Sequence, residues 1–229
     1  MRLVNTTGLH TTLEAMLRSS TASNPAFDTL LHDYSDYHAV LVVLGGFLTA
    51  GLLLLSVFSW RRLRRVPRTR TFERRTYRAF ALASGTVFLG LALVMAANVS
   101  TVLDPRQGFA HVIPAPGAPA PGTERARLHR SAASWIESGR SEVPPLLQRK
   151  VDDRLSWQRP KAIISGVLAF ALALFSVRLW RRLLGRESGG RGAVAIGATA
   201  PVCALVLAAM AIANAQAAFA PLTLTLLYG

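Results

Sequence analysis

Seven consecutive residues, His32-Asp33-Tyr34-Ser35-Asp36-Tyr37-His38, carry the densest polar chemistry in a 229-residue chain that is half apolar. On a continuing helix His32 and Asp36 stand one turn apart, where an imidazole and a carboxylate can share a metal, with His38 or His111 completing the shell. Two ligands at helical spacing do not make a metal site without a third at a defined distance. A simpler account fits the same residues: Tyr34, Tyr37 and His38 form the amphipathic belt of a membrane surface, and the acids oppose retention inside. The chain has no nucleophile elbow, zinc-ligand spacing, phosphate loop or nucleotide fingerprint. The sequence therefore implies no enzyme, no metal and no other cofactor.

The other polar candidates sit in long apolar runs. Ala39 to Trp60, Ala79 to about Leu103, Ala162 to about Val177 and Ala193 to Ala220 approach the ~20 residues that cross hydrocarbon at ~1.5 Å each. The third is shortest and borrows length from Arg178, whose stem can follow the helix while its head reaches water. None of the four contains Asp, Glu, Lys or His. Ionisable groups at mid-bilayer mark proton relays and ion paths, so their absence argues against proton-coupled transport or catalysis there. Asn98, Asn214 and Gln216, near the outer ends of the second and fourth runs, are expected to hydrogen-bond between helices or to line a vestibule.

Two matching junctions, Trp60-Arg61-Arg62-Leu63 and Trp180-Arg181-Arg182-Leu183, close the first and third runs. An aromatic followed by arginines is what a helix carries where it leaves hydrocarbon on the cytoplasmic side. Arg61 to Arg78 holds nine arginines against Glu73 alone, and Arg178 to Arg191 holds five against Glu187 alone. Both loops are short enough for the positive-inside bias to act, so both are expected inside, leaving the two termini outside. The formal charge of +14 then follows from topology, which excludes nucleic acid as the partner it would otherwise suggest. Arg61, Arg62, Arg64, Arg65, Arg181 and Arg182 set orientation or attract anionic lipid. Tyr34, Tyr37, Trp60 and Trp180 are the expected interface anchors. With two lysines beside 24 arginines and abundant alanine, the composition suggests a GC-rich bacterium and its cytoplasmic (inner) membrane. Cys203 is the single cysteine, so no disulfide forms within the chain.

The expected fold is an all-α integral membrane protein with four transmembrane helices as two hairpins. Residues 1–38 form extracytoplasmic amphipathic helices; 39–103 is the first hairpin, with basic loop 61–78; 104–161 is an extracytoplasmic loop. Residues 162–220 form the second hairpin, with basic loop 181–192, and 221–229 is an outer tail. The motif Val94-Met95-Ala96-Ala97-Asn98 resembles Met210-Ala211-Ile212-Ala213-Asn214, consistent with a degenerate duplication or with chance among alanine-rich helices.

Outside the membrane, Thr11 to Glu14 offers a capping box, with Leu9, Leu13, Met16 and Leu17 at helical spacing. Asn24-Pro25 starts a second helix with Phe27, Leu30, Leu31 and Tyr34 on one face. A proline-rich linker spans Ile113 to Gly122. Leu128, Ala132, Trp135 and Ile136 form one later stripe, and Leu146, Leu147, Val151 and Leu155 another. Trp135, Ile136, Leu146, Leu147, Val151 and Leu155 are candidates for docking a partner. Small residues at helical spacing, Gly46 with Ala50, Ala81 with Gly85, and Gly197 with Pro201, allow close helix approach.

These features point first to a non-catalytic accessory or scaffold subunit of a bacterial membrane complex, with other membrane subunits and anionic lipids as partners. An oligomeric channel or carrier for a small solute, and an outer-leaflet lipid-handling envelope factor, are the alternatives.

Overall fold

The computed structural model describes residues 8–18, 23–112, 119–185 and 191–228; most of the proline-rich linker lies outside them. Every regular element among these residues is an α-helix: α1 Leu9–Arg18, α2 Pro25–Arg65, α3 Thr71–Leu103, α4 Pro105–Val112, α5 Glu124–Ser138, α6 Pro145–Gly185, α7 Arg191–Phe219 and α8 Pro221–Tyr228. Four of them, α2, α3, α6 and α7, are long and apolar enough to cross a membrane. The chain is a multi-pass, all-helical membrane protein.

Local chemistry explains the helix ends. Asn24 Oδ1 accepts the Phe27 N–H at 3.0 Å, capping α2, and Pro25 occupies the first turn, where its missing donor costs nothing. No break separates the amphipathic stretch from the first apolar run, so α2 extends for 41 residues. It stops at Val66-Pro67, because proline removes the next donor and restricts the residue before it. The basic loop is therefore shorter than expected. Arginine is a good helix former, so residues 61–65 complete α2 and 71–78 open α3. Arg74 closes the turn by donating to the Leu63 and Val66 carbonyls at 3.3 and 2.8 Å. The first belongs to the last turn of α2 and the second to the residue just after it, where helix carbonyls run out of backbone partners.

Three further expectations need correction. The 145–155 stripe is not a separate helix but the first part of the 41-residue α6, which runs on through Pro160. Residues 221–228 of the outer tail form helix α8, and α4 was not foreseen at all, although Asp104 Oδ1 accepts the Gln107 N–H at 3.1 Å by the same cap-then-proline logic as Asn24-Pro25. The Thr11 to Glu14 capping box does not form. The helix has already begun at Leu9; the Thr11 hydroxyl donates to Gly8 O at 2.7 Å, and Glu14 pairs with His10 and Arg18.

The chain divides into two compact units. The first comprises Met1–Val40, Asn98–Arg159 and Ala215–Gly229. Its core joins Leu9 and Leu13 of α1, Phe27, Leu30 and Tyr34 of α2, Phe109 of α4, Leu128, Trp135 and Ile136 of α5, Leu147 of α6 and Leu226 of α8. Phe109 meets Phe27 and Tyr34 edge-on, with centroids 6.2 and 5.2 Å apart. Each fully buried side chain of this size contributes ~1.5–3 kcal/mol. Thr123 caps α5 at one end, accepting the Ala126 N–H at 3.2 Å. At the other, Gly139 adopts φ 62° so that its N–H reaches Ile136 O at 3.1 Å.

The second unit comprises Leu41–Ala97 and Pro160–Asn214. Its side chains are distributed opposite to those of a water-soluble bundle: Phe47, Leu54, Leu93 and Phe170 are 67–75% exposed, while the buried seam is built mainly of Ala, Ser and Thr, with Leu52, Leu63 and Leu183 among them. In α2 the buried and half-buried positions 45, 49, 52, 56, 59 and 63 alternate spacings of four and three, and in α6 the positions 162, 165, 169, 172, 176, 179 and 183 do the same. This is the seam spacing of closely packed helices. The Thr49, Ser84 and Ser165 hydroxyls donate to the carbonyls of Gly45, Phe80 and Lys161 one turn back. Ser56 instead crosses to α3 and donates to Ala81 O at 2.9 Å.

Candidate functional site

The 32–38 cluster separates into different tasks once it is helical. His32 and Asp36 form an exposed pair at 3.5 Å. His38 faces elsewhere: its Nδ1 donates to Asn98 Oδ1 at 2.6 Å, and its ring lies edge-on to Tyr34 and Tyr37, with centroids 4.6 and 5.3 Å away. Among the described residues no three His, Cys, Asp or Glu side chains gather as metal ligands, and the His111 side chain lies outside those described.

Asp33 performs a task that the sequence did not reveal. Its carboxylate is buried and accepts the Leu222 N–H at 3.2 Å and the Thr223 N–H at 2.7 Å, the open donors at the start of α8. Burial holds this carboxyl above its ordinary value, the two N–H groups pull it back, and Asp36 adds to the rise. At the other end of α8, His129 Nε2 lies 3.1 Å from Leu226 O, and burial lowers the affinity of this imidazole for a second proton. The helix is thus held at both ends by side chains from α2 and α5.

Gln216 Nε2 donates to Tyr37 O at 3.1 Å, next to the His38 and Asn98 pair, so Tyr37, His38, Asn98 and Gln216 collect in the first unit. Asn214 behaves differently. It donates to Met210 O at 2.7 Å within its own helix, so its amide nitrogen makes no bond between helices. Asn24 has a second role, because its Nδ2 donates to Ile136 O at 2.7 Å and ties the start of α2 to the end of α5.

The docking candidates are largely interior. Trp135, Ile136, Leu147 and Val151 are buried in the chain's own core, and Leu146 and Leu155 are half-buried. Their stripes pack on α1, α2, α4 and α8, with Leu146 only partly covered. Among the anchors, Tyr34 is likewise buried, Tyr37 is half-buried, and Trp60 is 47% exposed.

Trp180 packs inward. Its Nε1 donates to Gly197 O at 2.7 Å and its ring meets Phe80 edge-on at 5.0 Å. A Cβ at Gly197 would lie 3.1 Å from this indole, so any larger residue there would have to displace the ring by a few tenths of an ångström. The two Trp-Arg-Arg-Leu junctions therefore match in sequence and in the buried Leu63 and Leu183, but not in their tryptophans. Of the small-residue pairs, Ala81 and Gly85 face Ser56, while Gly46 has open space and Ala50 is exposed; the residue that meets α3 is Gly45, against Met95.

Arg61, Arg62, Arg64, Arg65, Arg181 and Arg182 are exposed. Arg62 lies over the Phe58 ring at 5.4 Å and Arg64 over the Trp60 ring at 5.5 Å. Sequence reasoning missed Asp33, Arg74 and His129 as structural ties, since their partners are backbone groups that leave no side-chain pattern. Comparison with protein-family models, with curated proteins and with solved structures finds no match to this chain.

Proposed function

We propose that this chain is a non-catalytic accessory or scaffold subunit of a larger bacterial membrane complex, seated in the cytoplasmic membrane as two hairpins with both termini outside. The observation that carries this reading is the use of its buried and half-buried polar groups. Asp33, Asn24, Ser56, Arg74 and Trp180 each tie one helix to the backbone of another, which is the work of a scaffold. Ties between α2 and α3 and between α6 and α7 support the paired hairpins. The arginine-rich turns support the orientation.

Docking falls to faces that the chain does not cover itself. On α7, Ala195, Thr199 and Cys203 recur every fourth residue and are exposed, and on α2 Gly46 and Ala50 turn away from the seam. Rows of small residues allow a second helix to approach closely in lipid. The first unit would then form an extracytoplasmic cap above the complex. Purification in mild detergent followed by mass determination tests this: a stoichiometric partner lost from a Gly46→Phe/Ala50→Phe variant is expected, and a lone monodisperse monomer contradicts it.

An oligomeric channel or carrier is the second reading, motivated by the cluster of Tyr37, His38, Asn98 and Gln216. Reconstituted vesicles that show no solute flux would remove it.

A further inference from the structure

Between α2 and α3, at the arginine-rich ends of both helices, lies a groove of about 430 Å³, within the ~300–1,000 Å³ typical of ligand sites. Ala81 and the half-buried Ser56, whose hydroxyl is spent on Ala81 O, are its least exposed lining; the exposed Val57, Leu82 and Trp60 add apolar surface, and Arg61 and Arg64 complete it. Arg64 is held against Trp60 at 5.5 Å. Of the nearby charges, Glu73 pairs with Arg70 at 3.5 Å and Arg74 bonds to the Leu63 and Val66 carbonyls. Among the described residues no carboxylate forms an ion pair with Arg61 or Arg64, so the rim carries two positive charges above an apolar trough.

We propose that this groove binds one anionic phospholipid of the surrounding leaflet, its phosphate between the Arg61 and Arg64 guanidiniums and the start of an acyl chain along Val57 and Leu82. Charge complementarity selects the headgroup, since guanidinium offers paired donors matched to phosphate oxygens. Apolar complementarity selects a lipid over a free phosphate, because an inorganic anion would leave the trough to water. The Trp60 ring sits where an indole favours the boundary between headgroup and chain.

Native mass spectrometry of the full-length protein, delipidated in detergent and titrated with phosphatidylglycerol or phosphatidylcholine of identical chains, tests the site. The unaltered protein is expected to bind the first phosphatidylglycerol at least fivefold more tightly than phosphatidylcholine. Arg61→Gln/Arg64→Gln should reduce that ratio to about one, and Leu82→Trp, which fills the trough and keeps both charges, should weaken binding of the anionic lipid as well. Arg181→Gln/Arg182→Gln should leave the ratio unchanged, and glycerol phosphate in excess should not displace the lipid. Leu82 is 60% exposed and the arginines are at the surface, so these variants retain the fold, which helical circular dichroism checks. A ratio of one in the unaltered protein overturns the proposal, as does a preference that survives either groove variant, falls equally in the Arg181/Arg182 variant, or is abolished by glycerol phosphate.

Discussion

The Asp33 carboxylate receives the Thr223 N–H at 2.7 Å across 190 positions of sequence, fixing the first turn of α8 from a residue on α2. The residue before Pro221 is Ala220, whose side chain has no oxygen with which to cap the helix. Asp33 supplies that oxygen, and its negative charge also suits a helix N-terminus.

This pairing predicts a pH dependence. Because burial raises the folded-state carboxyl above its ordinary value of 3.8, its contribution is complete below 3.8 and is lost as pH rises through the raised value. Asp33→Asn retains one acceptor and removes the buried charge, so it should flatten the stability profile over that interval. Asp33→Ala leaves both donors unmet at ~1–3 kcal/mol each. Amide exchange over residues 221–228 should accelerate in Asp33→Ala; unchanged exchange would show that Asp33 does not hold α8.

Asn98 and Asn214 look alike in sequence but should respond differently to leucine. Asn98→Leu strands the His38 ring donor and should cost ~1–3 kcal/mol. Asn214→Leu removes only a bond within its own helix and should stay within ~0.5 kcal/mol. Thermal unfolding of the two variants in the same detergent makes the comparison, and equal losses would contradict the assigned contacts.

A packed glycine and an open one provide a second contrast. Gly197→Leu drives a side chain into the Trp180 indole, and overpacking of this kind costs ~1–3 kcal/mol or more. Gly46→Leu meets open space and should be neutral for the isolated chain. Detergent melting temperatures check both; a tolerant Gly197 would mean that α6 and α7 are not in close contact there.

Ile136 is fully buried in the first unit. Ile136→Ala should therefore destabilise that unit by ~2–5 kcal/mol, seen as a lower unfolding midpoint of the purified chain. A partner-docking role for this residue would instead leave the purified chain's stability intact.

The four apolar helices were legible because hydrocarbon imposes a length and a composition that soluble packing does not. Asn24 was legible for a similar reason: a cap and its helix are adjacent in sequence. Asp104-Pro105 carried the same signal and was passed over, since the eight residues of α4 offer little apolar periodicity of their own. The phase of α2 was not legible. Gly45 and Gly46 are neighbours in a helix apolar on every face, and only the position of Met95 decides which one is internal. The ties made by Asp33, Arg74 and Trp180 were hidden because each ends on a backbone N–H or carbonyl; every residue offers the carbonyl, and every residue but proline the N–H.

The central claim, four helices crossing lipid with their arginine-rich turns inside, is tested most directly by cysteine accessibility in intact cells. In a Cys203→Ala background, Thr69→Cys and Ser138→Cys each place one thiol at an exposed position, between α2 and α3 and at the end of α5. A membrane-impermeant maleimide should label position 138 and reach position 69 only after the cells are opened. Labelling of position 69 from outside, or a chain that stays soluble and monomeric once detergent is removed, would contradict the account.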